Sequence, residues 1–229
     1  MVARHYFDLE LESLHQDLVE MGSKVQESID NAINALKNQD VELSRQVFKN
    51  DDIIDELEHK IERKCINLIA RQQPLAKDLR SISTALKIIT DMERIADHSA
   101  DICELTIKMA DQKYIKPLID IPKMAEAAKK MVNNAIHAYV TQNVELAEKV
   151  CADDDIVDDY FVKVVDELRE LIRENPDVVY QATNFILVAK YLERMGDHAT
   201  NISEWVIYNV TGVHKDLNHD DLTKIKVNK

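Results

Sequence analysis

The chain repeats itself, and this internal repeat limits its fold more than any other feature. The segment Asp51-Asp52-Ile53-Ile54-Asp55 returns as Asp154-Asp155-Ile156-Val157-Asp158, displaced by 103 residues. The segment Glu93-Arg94-Ile95-Ala96-Asp97-His98 returns as Glu193-Arg194-Met195-Gly196-Asp197-His198, displaced by 100 residues. A difference of three residues in one loop explains the shift. Each repeated unit is too small to bury its apolar surface alone, so the two halves should pack together with an approximate twofold relation.

Each repeat has the pattern of three helices. Apolar residues near the N-terminus recur at three- and four-residue steps, at Leu11, Leu14, Leu18, Met21, Val25, Ile29, Ala32 and Leu36. Such a stripe is typical of an amphipathic helix, and similar stripes predict helices over about 41–70 and 75–111. With only 3 Gly and 4 Pro in 229 residues, long helices can continue unbroken. We therefore predict an all-α fold of six long helices in two tandem, pseudo-symmetric three-helix bundles.

The repeat and the prolines also predict where each unit begins and ends. We assign residues 1–115 to the first repeat, 116–210 to the second and 211–229 to a polar C-terminal tail, with 114–122 as the linker. No stretch approaches the roughly 18 to 20 apolar residues that span a bilayer. The N-terminus lacks the apolar core of a signal peptide, so we expect a soluble, cytoplasmic protein.

The overall charge argues against one large class of partners. The formal net charge is −13, and no basic stripe stands out in the sequence. Nucleic-acid binding depends on clustered Lys and Arg that displace counterions, so we expect no nucleic-acid partner. The excess of carboxylates either attracts hard cations or is an ordinary solvated surface.

Carboxylates interrupt the apolar stripe of the third helix of each repeat. Continuing that stripe beyond Ile89 leads to Glu93 and Asp97, and the second repeat places Glu193 and Asp197 in the same way. Like charges one helical turn apart repel, and a half-buried carboxylate without a partner is costly. Ion pairs with the neighbouring Arg94 and Arg194, exposure to solvent, or bound metal ions would each compensate them.

The second helix of each repeat carries a further pair of acids. Asp51 lies about 23 residues before Pro74 and Glu93 about 19 after it, so both stand roughly 30 Å from the loop on antiparallel neighbours. We call Asp51, Asp55, Glu93, Asp97 and Asp101 the first cluster, and Asp154, Asp158, Glu193 and Asp197 the second cluster. Such oxygen-rich groups suit Mg, Mn, Ca or ferric iron, so we predict metal sites.

Two details of the motifs refine this prediction. Asp101 extends the first cluster by one helical turn, but its counterpart in the second repeat is Asn201, so the clusters should differ in affinity or in the number of ions. His98 and His198 follow the motif aspartates about 100° around the helix. We expect these histidines to orient a carboxylate or to pack, rather than to bind metal directly.

The motifs together resemble the PhoU family, whose hallmark is two E/DxxxD motifs in each of two three-helix repeats. They read DDIID and ERIADH in the first repeat, and DDIVD and ERMGDH in the second. The entry to the third helix, Gln73-Pro74-Leu75-Ala76-Lys77-Asp78-Leu79-Arg80, also matches, whereas Asn175-Pro176-Asp177 is more divergent. The resemblance covers about residues 8 to 210.

The resemblance implies a function that the residue pattern alone does not. It implies a cytoplasmic, negative regulator of phosphate uptake that links the ATPase of a phosphate ABC transporter to a phosphate-sensing histidine kinase. It also implies iron, zinc, manganese or magnesium ions on the acidic clusters, no established enzymatic activity, and a tendency to form homodimers. Contact with the membrane would occur only through protein partners.

Three alternatives from other classes remain open from the sequence. A ferritin-like di-metal oxidase would use Glu12-x-x-His15 and Glu56-x-x-His59, but this spacing occurs in one half only. A metal-dependent phosphohydrolase would use the clustered acids, although no nucleophile, Gly-rich cradle or basic clamp accompanies them. A plain helical scaffold with solvated acidic faces needs no metal at all.

Overall fold

The computed structural model describes residues 2–214, with side chains from His5 onward. This part of the chain forms six α-helices and no strand, which confirms the all-α prediction. The helices are α1 (Val2–Asn38), α2 (Val41–Gln72), α3 (Ala76–Met109), α4 (Asp120–Thr141), α5 (Val144–Glu174) and α6 (Val179–Thr211). A 3-10 turn at Pro176–Val178 precedes α6. No helix in the described part is long and apolar enough to cross a membrane.

The helices form two layers. In the first layer α2, α3, α6 and α5 lie side by side in that order, and in the second layer α1 and α4 pack behind them. The contacts of α3 with α6 and of α1 with α4 join the two repeats. A single hydrophobic core runs through both repeats, including Leu18, Ile88, Met131 and Phe185. Each repeat thus buries an apolar face against the other.

Equivalent capping residues begin the second helix of each repeat. Asp40 accepts a hydrogen bond from the Leu43 amide, and Asn143 accepts one from the Leu146 amide, each at 3.0 Å. These side chains satisfy amides that have no partner within the helix. The preceding Gln39 and Gln142 both have φ near 51°, the left-handed conformation that ends a helix. The tight corner before α2 and α5 therefore has the same construction in both repeats.

Two sequence-based details are wrong. The predicted linker included Pro122, but α4 begins at Asp120 and places Pro122 in its first turn, where a proline removes no helical hydrogen bond. The three-residue shift also does not arise in the loop, since three residues separate α2 from α3 and four separate α5 from α6. The extra residues of the first repeat lie in the adjoining helix ends. Residues 215–229 of the predicted tail lie outside the described residues.

Candidate metal centre

The first cluster joins α2 to α3, because the two antiparallel helices bring their acids to the same level. Burial and then the nearby Asp97 carboxylate raise the pKa of Asp51 to about 6, and Asp55 and Asp101 add to the effect. The charges of Asp97 and Asp101 on α3 therefore act on Asp51 across the helix pair. The structure brings these four predicted residues together.

Glu93 lies half-buried in the same cluster and has one cationic neighbour. Burial, and then repulsion from Asp97, raise the pKa of Glu93 to about 7. Arg94 places Nε 3.4 Å from Glu93 Oε2 and a terminal nitrogen 3.0 Å from Asp97 Oδ2. Arg94 is itself half-exposed, so it compensates the two acids only partly. The sequence suggested that Arg94 could compensate these acids by ion pairing, and the structure contains these ion pairs.

Glu58 is an acid of the first cluster that the sequence motifs do not indicate. Its carboxylate accepts a hydrogen bond of 3.4 Å from the Thr90 hydroxyl, and its charge contributes to the raised pKa of Glu93. Burial raises the pKa of Glu58 as well. Glu58 follows Asp51 by seven residues, two helical turns, and that spacing is the signal that could have identified it.

The second cluster joins α5 to α6 and is more deeply buried. Burial, followed by Asp158 and Asp197, raises the pKa of Asp154 to about 7. Burial, followed by Glu193, raises the pKa of Asp197 to about 6. The Oδ1 atom of Asp154 is buried without any hydrogen-bond partner. A Cβ atom on Gly196 would approach this oxygen to 3.0 Å, so the glycine leaves room for the carboxylate.

A lysine lies inside the second cluster and was not predicted. Lys190 Nζ lies 2.5 Å from both carboxylate oxygens of Glu193 and 5.5 Å from the centre of the Phe161 ring. The first repeat has Thr90 and Glu58 at the positions of Lys190 and Phe161. The second cluster thus contains an internal cation where the first cluster contains an additional carboxylate. Arg194, the residue proposed to neutralise this cluster, is exposed.

The two motif histidines meet where α3 packs against α6, between the clusters. Their ring centres are 5.7 Å apart, and His98 also stacks on Tyr191. His98 Nδ1 lies 3.4 Å from Asp101 Oδ2, whereas His198 Nδ1 lies 2.9 Å from Asp91 Oδ1. His98 therefore contacts a predicted ligand, as expected of an orienting residue. His198 instead joins the two repeats.

The chemistry of the clusters fits a hard cation, but their side chains are not prearranged around one point. Within residues 2–214, no three His, Cys, Asp or Glu side chains are placed so that they could hold a metal ion together. In favour of a cation are the partnerless Asp154 oxygen and four carboxyl groups whose pKa values lie at about 6 to 7. To bind a cation, the carboxylates of either cluster would have to rotate. In the second cluster Lys190 would also have to move away from Glu193.

The ferritin-like alternative does not fit the structure. Glu12, Glu56 and His59 are exposed, and the side chain of His59 is 68% accessible. His15 stacks on Tyr139 at a centroid distance of 5.4 Å. A di-iron centre of that kind needs these residues to project into the bundle core. The acids that do face one another are those of the two clusters.

The fold and the clusters define a class of protein: an internally duplicated helical bundle with an acidic cluster between equivalent helices of each half. A family model described as "PhoU domain" matches residues 18–106 and 121–206, one match for each repeat. The chain belongs to the PhoU family.

Relatives match nearly the whole chain. A phosphate-specific transport system accessory protein PhoU homolog from Clostridium acetobutylicum is 40% identical over 218 residues, covering 95% of this chain and 100% of that protein. The crystal structure of PhoU from Pseudomonas aeruginosa has a TM-score of 0.87 at 34% identity, covering 90% of this chain and 100% of that one. The phosphate transport system regulatory protein PhoU from Streptococcus pneumoniae has a TM-score of 0.84 at 26% identity, covering 92% and 99%.

Proposed function

We propose that this protein is a cytoplasmic negative regulator of phosphate uptake and of the response to phosphate starvation. The observation that carries the proposal is the family match over both repeats, together with relatives that are accessory proteins of phosphate-specific transport systems. A regulatory rather than catalytic role also agrees with the structure, in which the feature common to both repeats is an acidic cluster between two helices.

The proposed function includes binding of partner proteins. The partners proposed from the family are the ATPase of a phosphate ABC transporter and a phosphate-sensing histidine kinase, and we also propose a homodimer. Sedimentation of the purified chain at several concentrations tests the dimer, and a monomer at the highest concentration would remove it. Co-purification of the tagged chain with each of the two proteins tests the heterologous contacts.

Deletion of the gene in its own host tests the regulatory role. We expect uptake of labelled phosphate to continue at a high rate in the deletion strain when phosphate is plentiful, because the negative regulator is missing. Restoring the gene should restore repression. Uptake that responds normally to phosphate in the deletion strain would overturn the proposal.

We further propose that iron, zinc, manganese or magnesium ions bind the two clusters. The ligands would be drawn from Asp51, Asp55, Glu93, Asp97 and Asp101 in the first cluster and from Asp154, Asp158, Glu193 and Asp197 in the second. A bound cation would neutralise carboxylates whose mutual repulsion the protein otherwise tolerates. The chain's own contribution is to hold α2 against α3, and α5 against α6, so that these acids face one another. Elemental analysis of the purified protein tests whether metal is retained.

The variant Glu93→Gln separates a ligand from a bland surface acid. In chelator at pH 8 we expect Glu93→Gln to melt slightly higher than the wild type, because repulsion from Asp97 is relieved. In excess Mn the order should reverse, since binding at a hundredfold excess over Kd stabilises by about 2.7 kcal/mol and the variant forfeits part of this. Glu56→Gln, at an exposed position outside the clusters, is the control. Equal metal-induced shifts in all three proteins would exclude Glu93 as a ligand.

A further inference from the structure

A basic groove runs between α1 and α2 on the side of α2 that faces away from the first cluster. Four cations, Lys60, Arg63, Lys64 and Arg71, outnumber its two acids, Glu10 and Asp17, and the groove has a volume of about 360 Å³. The four residues follow one another at helical spacing and share one face of α2. A concentration of positive charge is unusual for a chain with a net charge of −13.

The two arginines of the basic groove are not used by the fold. Asp17 on α1 accepts from Lys64 Nζ at 2.6 Å and lies 3.0 Å from Lys60 Nζ, so the two lysines tie α2 to α1. By contrast, no carboxylate within residues 2–214 forms an ion pair with Arg63 or Arg71, and both side chains are exposed. An unpaired guanidinium offers a planar fork of donors to a carboxylate or a phosphate.

The second repeat is an internal control for this surface. The anchoring pair of Asp17 with Lys60 is repeated as Asp120 with Lys163, whose atoms lie 3.0 Å apart. The positions of Arg63, Lys64 and Arg71 are taken in α5 by the acids Asp166, Glu167 and Glu174. Lys116 pairs with Glu167 at the place where Lys64 contacts Ser13 in the first repeat. Packing the outer helix therefore does not require cations at the positions of Arg63, Lys64 and Arg71.

The basic groove continues into a neighbouring depression that is partly apolar. This depression has a volume of about 520 Å³ and shares Lys60 and Arg63 with the groove. It adds Ile53, which is 44% exposed, together with Glu56 and His59. From Ile53 to Arg71 the surface extends over roughly 27 Å of helix. Its arginines, one exposed apolar side chain and a few acids together resemble a protein interface, and its length suits a peptide segment better than a small anion.

We propose that this face of α2, from Ile53 to Arg71, is a docking surface for an acidic, amphipathic segment of a partner protein. Carboxylates of the segment would pair with Arg63 and Arg71, and its apolar side chains would cover Ile53. The inference rests on the proposed function in one respect, that the protein acts by binding other proteins. It does not depend on metal binding, because the surface lies on the opposite side of α2 from the first cluster.

A matched pair of variants tests the surface in solution with the full chain. The probe is a fluorescein-labelled helical peptide of about 18 residues, long enough to cover roughly 27 Å, with glutamates on one face and leucines on the next. Arg63→Asp/Arg71→Glu introduces the residues that α5 has at the equivalent positions, so the fold should tolerate it. Arg169→Asp/Arg173→Glu on α5 makes the same change of net charge at two exposed arginines elsewhere and is the control.

We expect the wild type and the control to bind the acidic peptide equally, with an affinity that falls as salt is added. Arg63→Asp/Arg71→Glu should bind at least about tenfold more weakly, with an unchanged melting temperature. Binding unaffected by this variant, or no binding by the wild type, would overturn the proposal. Tripolyphosphate that binds in an arginine-dependent way while the peptide does not would reassign the site to small anions. Arginine-dependent dimers of the chain alone would reassign it to a second copy.

A complementation experiment separates failure of this inference from failure of the proposed function. If the wild-type gene restores control of phosphate uptake in the deletion strain and Arg63→Asp/Arg71→Glu does not, the surface is needed for regulation. If both restore it equally, the docking surface is refuted while the regulatory role stands. If neither the wild type nor the variant affects uptake, the proposed function itself fails, and the peptide measurement alone decides the surface.

Discussion

At the scale of single residues, the two clusters are chemically different despite their shared motif. Lys190 contacts both carboxylate oxygens of Glu193, while the equivalent Thr90 carries no charge and Glu93 has a longer contact with Arg94, at 3.4 Å. Glu58 adds a carboxylate to the first cluster, where the second repeat has Phe161. A cation must compete with an ammonium group for the second cluster. The first cluster should consequently bind divalent cations more tightly.

Exchanging the residues at this position should exchange the properties of the clusters. In Lys190→Thr we expect the second cluster to bind Mn at least about tenfold more tightly, because the metal no longer competes with the ammonium group. A tenfold change in affinity corresponds to about 1.4 kcal/mol, which is less than the several kcal/mol between two unscreened charges in contact near a protein surface. In Thr90→Lys the first cluster should weaken. Isothermal titration calorimetry of both variants measures this, and unchanged affinities would show that Lys190 does not compete with the metal.

The raised pKa values predict an unusual dependence of stability on pH for the metal-free protein. Burial and neighbouring carboxylates raise the pKa values of Asp51, Glu93, Asp154 and Asp197 to about 6 to 7. Between about pH 4 and 7 the native state therefore holds more protons than the unfolded state. The free energy of unfolding consequently falls as the pH rises through this range. Melting in chelator should be lower at pH 8 than at pH 5.

Two other carboxylates act in the opposite direction at low pH, and bound metal acts in the opposite direction at higher pH. Hydrogen bonds from lysines lower the pKa of Asp120, and those from Lys64 and Lys60 hold the pKa of Asp17 low against burial. Stability from these two groups is lost as the pH falls below about 4, which sets the acid limit. Metal should reverse the trend above pH 5, since it binds the ionised carboxylates. A melting temperature that rises steadily from pH 5 to 8 in chelator would contradict the assignment.

At the scale of helices, the sequence predicts the elements well and their side-chain environment poorly. Apolar periodicity and prolines placed α2 and α3 within about two residues of their observed ends, because a stripe and its breakers are local properties. The rise per residue placed Asp51 level with Glu93, whereas the structure sets Asp51 against Asp97, one turn further along α3, and Glu93 against Glu58 and Asp55. Lys190 and Glu58 were missed although each had a local signal, since Lys190 precedes Glu193 by three residues on α6 and Glu58 follows Asp51 by two helical turns on α2.

Gly196 shows how one helical position shapes a cluster. The first repeat has Ala96 there, whereas a Cβ on Gly196 would approach Asp154 Oδ1 to 3.0 Å. In Gly196→Ala we expect the gain in helix preference, about 1 kcal/mol, to be largely offset by the retreat of the Asp154 carboxylate. Stability in chelator should change by less than about 1 kcal/mol, and metal affinity of the second cluster should fall. Urea unfolding and calorimetry measure the two quantities.

A contrary result for Gly196→Ala would be informative about the rigidity of α5. A loss of more than about 2 kcal/mol in chelator would mean that Asp154 cannot move away, so the carboxylate would be fixed by the surrounding core. Ala96→Gly in the first repeat is the matched control, because there the helix loses preference without relieving any contact with Asp154. Its expected effect is a loss of about 1 kcal/mol.

At the scale of the whole molecule, the two repeats share one hydrophobic core. The core is continuous from α1 through α3 and α6 to α4. Polar contacts cross the same boundary, since Asp91 on α3 contacts His198 at 2.9 Å and Asn201 at 3.2 Å on α6, and Arg80 donates to the Asn209 carbonyl at 2.9 Å. The duplication made this pairing predictable, because neither copy can bury its apolar face alone. The partners of Asp91 were not predictable, since they depend on the register of α3 against α6.

We therefore expect that residues 1–115 expressed alone do not form a stable three-helix domain. Separation from the second repeat would expose apolar side chains of α1 and α3 at the faces that pack on α4 and α6. Each such side chain forfeits roughly 1.5 to 3 kcal/mol of burial, and the loss of several exceeds the total stability of an ordinary domain. The fragment should aggregate or unfold without a sharp transition, as measured by circular dichroism on heating and by sedimentation. Mixing it with residues 116–214 should restore a cooperative transition, whereas a monomeric fragment that melts sharply by itself would show that the repeats are independent domains.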